Sequence, residues 1–191
     1  MTWRSMDAPK PPSLGLIELS SIAKGMEATD RMLKAANVEL VLARSICSGK
    51  YIVMVAGEID DVQTSVEAGL AVAAECAIDH FVIPDAHPDV LPALSSTNKL
   101  SGRGAIGIIE SFSVASLVEA IDLVAKAALV EMVECRLAMA LGGKAYLVFT
   151  GGVDAVQLSL DAGVKVVARR GLLVQKVLIP DPRPELFETL V

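Results

Sequence analysis

Leu14-Gly15-Leu16-Ile17-Glu18 is spelled again as Ile106-Gly107-Ile108-Ile109-Glu110, 92 positions later (106 − 14), and this repetition decides the fold. Lys34-Ala35-Ala36 returns at the same shift as Lys126-Ala127-Ala128. The register then slips: Gly49-Lys50 and Ala68-Gly69 reappear as Gly143-Lys144 and Ala162-Gly163, 94 positions on (143 − 49). Ile83-Pro84-Asp85 returns as Ile179-Pro180-Asp181 after 96 (179 − 83). One unit is therefore written twice. The second copy gains two residues before its Gly-Lys pair and two more near the end of its second helix.

Each copy reads as strand, helix, strand, strand, helix, strand. In the first, a strand over about 14–20 precedes a helix whose apolar face is Ile22, Met26, Leu33 and Ala36, with Thr29 between them. Val114, Val118, Ile121, Ala125 and Ala128 hold the matching places, while Lys24, Glu27, Arg31 and Lys34 mark the wet side of the first copy. Val38, Leu40 and Leu42 alternate as a half-buried strand, and Tyr51 to Ala56 is its hairpin partner. A second helix is expected to begin at Asp60 in a capping arrangement with Gln63 and to run through the Ala-rich segment 66–77; Phe81–Ile83 closes the unit. Two such halves predict an α+β protein of two tandem ferredoxin-like βαββαβ domains, each an antiparallel sheet with helices on one face. The expected division is a flexible tail over 1–12, a first domain over 13–94, a linker over 95–104 and a second domain over 105–191.

Composition narrows the function. Of the 191 residues 53% are hydrophobic, ample for two cores, yet charges interrupt every apolar run well short of the ~20 residues a membrane helix needs. No apolar leader-like segment opens the sequence, which predicts a cytoplasmic protein. A net charge of −6 without a basic patch argues against nucleic acid as a partner. The three cysteines, Cys47, Cys76 and Cys135, stand too far apart for a metal knuckle within one chain. No Ser/His/Asp set, Cys/His dyad or pair of poised carboxylates can be argued from spacing, so the sequence does not read as an enzyme.

Gly15 to Glu18, Glu27 to Val38, the tip Ser48 to Lys50, Gly57 to Ser65 and the closing Ile83-Pro84 together resemble the bacterial microcompartment shell domain, over nearly all of the chain from Ser13 onward. The plain order of strands and helices is similar to the unpermuted, propanediol-utilisation type of tandem member within that family. The resemblance implies a shell tile: a homotrimer with pseudo-sixfold symmetry, seated among other shell proteins of a microcompartment. It also implies that the hairpin tips meet on the central axis, where Ser45, Ile46, Ser48 and Gly49 of the first copy and Met139 and Leu141 of the second would line the pore.

In such tandem members the tip cysteine of the first copy holds an iron-sulfur cluster, and Cys47 occupies that place. The resemblance thus implies one 4Fe-4S cluster per trimer on three copies of Cys47, supported by Lys50, Arg44 or the Ser48-Gly49 amides, and electron exchange with a redox enzyme in the lumen. The alternative is a tile without a cluster, whose pore passes small metabolites. Lys34 and Lys126 match the lysine by which family members pack edge to edge. The family's closing P-R-P-H turn is altered here to Pro84-Asp85 and Pro180-Asp181, with Arg183 two residues beyond the second.

The remaining candidates read as ordinary structure. Cys76, in the expected second helix, and Cys135, in a strand, are packing residues. His80 and His87 beside Asp85 and Asp89 are surface or turn residues before they are metal ligands. Gly49-Lys50 and Gly143-Lys144 lack the other residues of a phosphate loop.

Overall fold

The computed structural model describes residues 11–95, 104–139 and 141–190. The first half runs β1 (Ser13–Leu19), α1 (Ile22–Ala35), β2 (Glu39–Ile46), β3 (Lys50–Gly57), α2 (Ile59–Ala73), β4 (Ala77–Ile83) and the short α3 (Val90–Leu94). The second repeats it as β5 (Ala105–Ser111), α4 (Val114–Ala127), β6 (Val130–Leu137), β7 (Ala145–Gly151), α5 (Val153–Arg169), β8 (Leu173–Ile179) and α6 (Pro184–Phe187). The strands form two four-stranded antiparallel sheets, β2-β3-β1-β4 and β6-β7-β5-β8. This is the order a βαββαβ unit requires, with the first strand of each unit central and hence the most buried. The expected tail falls largely, and the expected linker almost wholly, on residues outside those described.

The first helix of each copy starts for the same reason. Ser21 Oγ accepts the amide of Lys24 at 3.3 Å, and Ser113 Oγ accepts that of Ser116 at 3.0 Å. Such a cap stabilises a helix by about 1 kcal/mol. One side of the first sheet packs on α1 and α2 through Ile17, Leu19, Val53, Val55, Met32, Val62 and Val66.

Four expectations are corrected. α2 starts at Ile59 with no side-chain cap; Gln63 Nε2 instead donates to Glu67. It stops at Ala73 because Ala74 takes a positive φ of 46°, and Ala74–Cys76 form a 3-10 turn, so Cys76 lies outside the helix. The closing strand therefore starts at Ala77, four residues before Phe81. The apolar face assigned to the first helix is not its buried face: α1 buries Gly25, Ala28 and Met32, whereas Ile22, Met26 and Leu33 are exposed. The counterparts of Ile22 and Met26, Val114 and Val118, are fully buried, and that of Leu33, Ala125, is half-buried.

The difference arises because the two copies pack side by side. α4 crosses onto β1 and β4 of the first half, and α3 packs on β6 of the second. Leu16, Ile52 and Phe81 share one continuous buried cluster with Val114, Leu117, Val118 and Ile121. α4 thus buries a face that α1 leaves open.

Candidate functional site

Two places gather the residues of interest: the paired tips, and the polar joint beneath them. Cys47 sits between β2 and β3, in a turn that Gly49 closes with a φ of +78°. Ile46, next to it, is buried and anchors the turn, while Ser45, Ser48 and Gly49 are exposed. The Cys47 amide donates to the carbonyl of Ala138 at 2.9 Å, which ties the first tip to the second. The second tip carries Met139, exposed, and Leu141, half-buried; a Cβ on Gly143 would lie 3.6 Å from Ser48 Oγ and 3.7 Å from the Cys47 carbonyl. The pore residues expected from both copies are therefore neighbours within one chain.

Below the tips lies a network that was not singled out from the sequence. Glu18, on central β1, is wholly buried, and its Oε2 accepts the amides of Val114 at 2.8 Å and Ala115 at 3.1 Å at the start of α4. The unpaired amides of a helix start and the dipole behind them suit a carboxylate. Lys50 Nζ donates to Glu18 Oε1 at 2.9 Å and to the carbonyl of Phe112 at 3.1 Å. Lys50 is thus committed to the joint.

Asp79 completes the network. Its Oδ2 accepts Ser113 Oγ at 2.5 Å and Ser116 Oγ at 2.6 Å, and its Oδ1 accepts Arg170 Nη1 at 2.5 Å. Arg170 Nη2 reaches Glu119 Oε2 at 2.5 Å. Burial pushes the Glu119 carboxyl up from its ordinary range, and the Arg170 guanidinium acts against that rise. A signal for part of this was present, since Glu18/Glu110 and Lys50/Lys144 are charged residues repeated within or at the start of strongly apolar strands. Asp79 and Ser116 correspond to Gln175 and Lys24, and Arg170 falls where the second copy is longer, so the repeat conceals them.

The other candidates are distributed. Lys34 is exposed and pairs with Asp30 at 2.6 Å. Lys126 pairs with the buried Asp122 at 2.7 Å, whose other oxygen accepts the His87 amide. Cys135 is fully buried on β6, and burial pushes its thiol up to about 12, as suits a packing residue. Among the described residues, no three His, Cys, Asp or Glu side chains gather to hold a metal ion, so one chain contributes a single thiol at the tip and no complete metal site. No helix among them is long and apolar enough to cross a membrane.

The BMC domain profile matches residues 13–86 and again residues 105–182. The chain is 39% identical over 179 residues to the bacterial microcompartment shell protein PduT of Citrobacter freundii, covering 94% of this chain and 97% of that one. The crystal structure of a microcompartments protein from Desulfitobacterium hafniense DCB shares its fold with a TM-score of 0.83 and 47% identity, covering 93% of this chain and 99% of that one. A fused permuted hexameric shell protein of the RMM microcompartment shares the fold at 18% identity, with a TM-score of 0.61 over 83% and 82% of the two chains.

Proposed function

This chain belongs to the BMC domain family and is a structural shell protein of a bacterial microcompartment, and from that premise we propose that three copies form a tile holding one 4Fe-4S cluster through Cys47 of each. The observation that carries the reading is the placing of Cys47. It is a half-exposed thiol at the tip of the first domain, its backbone bonded to the second tip. One thiol per chain fits a cluster only if copies converge: three thiolates serve three irons of a cubane, and the fourth takes water or another ligand.

When bound, such a cluster supplies one-electron transfer, and the function assigned is electron passage across the shell to a redox enzyme inside. The chain's own part is to present sulfur at a fixed place. Ile46 and the Ala138 carbonyl hold the turn, and Lys50 is withheld from it by Glu18. The second tip has no thiol, so ligation by six equivalent residues is excluded.

The test is anaerobic purification with reconstitution, followed by iron and sulfide analysis and native mass measurement. The expected result is a brown trimer with about four irons, and a Cys47→Ala protein that is colourless and still trimeric. A wild-type trimer that stays iron-free after reconstitution overturns the cluster and leaves a pore tile for small metabolites.

A further inference from the structure

We propose that the chain's own first ten residues, Met1–Lys10, lie in the groove between β2 and α3, with the indole of Trp3 seated on Leu40. The groove has a volume of about 1140 Å³, and its walls include Val38, Leu40, Leu42, Leu91, Leu94 and Pro12. β2 is an edge strand, and proteins cover or charge such edges. Leu40 on it is 42% exposed. The matching edge strand β6 has its cover: α3 packs on it, and Met132, the counterpart of Leu40 in the repeat, is 2% exposed.

The occupant follows from where the chain leaves the groove. Pro12 belongs to the groove wall, and its carbonyl accepts the amide of Ala86 at 3.1 Å, so the residues before it set out from a fixed point inside the site. The repeat supplies the length. Leu94, the last residue of α3, precedes the first residue of β5 by 11 positions (105 − 94), and Thr2 precedes the first residue of β1 by the same 11 (13 − 2). The span of chain that separates the cover of β6 from the second domain thus also separates Thr2 and Trp3 from the first. Ten residues reach at most ~36 Å, ample to cross strands about 4.8 Å apart.

Composition suits the segment to the place. Trp3, the chain's one tryptophan, and Met6 supply apolar bulk for the groove, and an edge strand offers carbonyls to the indole N–H. Pro9, Pro11 and Pro12 have little conformational freedom to lose on docking and no amide to pair with β2, so the segment lies over the strand and does not extend the sheet. Glu39 and Arg44 in the groove lining meet a segment that carries Arg4, Asp7 and Lys10. The docking makes no use of the cluster.

Because Trp3 is the one tryptophan, its emission reports the docking directly. In the full chain, prepared without iron, that emission should be blue-shifted and quenched severalfold less by acrylamide than in a synthetic peptide of residues 1–12. Leu40→Asp should return both to the peptide values while the circular dichroism spectrum stays as it was. In the other direction, the thiol of Leu40→Cys, followed by mass spectrometry, should be alkylated slowly, and severalfold faster once Trp3→Ala is added. An emission equal to the peptide's overturns the docking. So does a blue shift indifferent to Leu40→Asp, which seats the segment elsewhere, or one lost on dilution, which seats it on a second copy. A Leu40→Cys thiol that reacts at one rate with and without the Trp3 indole overturns it as well.

Discussion

The backbone amide of Cys47 is bonded to the carbonyl of Ala138 at 2.9 Å, so the thiol-bearing turn of one domain is fastened to the thiol-free turn of the other. The bond is made by the main chain, so replacing the side chain keeps it. Cys47→Ala is accordingly expected to shift the unfolding free energy by no more than about 0.5 kcal/mol, as for substitutions away from a packed core. Thermal unfolding of the metal-free protein checks this, and a large loss would give the thiol a structural role.

Glu18 is the opposite case. Glu18→Ala removes the acceptor of two helix-start amides and leaves Lys50 without its carboxylate in a buried place. Removing one partner of a buried pair costs about 3–5 kcal/mol. Urea unfolding should show that loss for Glu18→Ala and a smaller one for Glu18→Gln, which keeps an oxygen for the amides.

Arg170 joins Asp79 to Glu119 across the two domains. Arg170→Ala should cost about 1–3 kcal/mol, the range for leaving buried polar groups without a partner. Lysine cannot reproduce the two-armed contact, so Arg170→Lys should recover little of it. The same unfolding measurement distinguishes these outcomes.

Cys135 makes stability depend on alkaline pH. Its thiol is pushed up to about 12 in the fold from an ordinary value of 9.0, so between those values the folded chain keeps a proton that the unfolded chain has lost. Unfolding then becomes easier as pH rises through that window, on the order of 1.4 kcal/mol per pH unit for this group. Cys135→Ala should flatten the slope above pH 9. At neutral pH Cys135 should resist alkylation in the folded protein while Cys47 and Cys76, both partly exposed, react.

Much of the architecture was legible in residue order. The repeated Gly15 and Gly107 strands and the hairpin of β2 with β3 are local patterns, and local patterns specify elements. The end of α2 was not legible, because an alanine run favours continuing the helix and only the left-handed turn at Ala74 stops it. The tip position of Cys47 followed from its place between two strands. The Glu18–Asp79–Arg170 network did not, since its members are 61 and 91 residues apart and are joined only where two domains meet.

By itself, the sequence determined that two copies of one βαββαβ unit exist and that each carries an apolar stripe along its first helix. It could not say which stripe is covered, because Ile22-Met26 and Val114-Val118 present the same spacing and similar hydrophobicity. The tertiary structure decided that. Linking the copies in one chain brings α4 against the first sheet and leaves the matching face of α1 exposed, since two units joined side by side satisfy one such joint internally and not its counterpart.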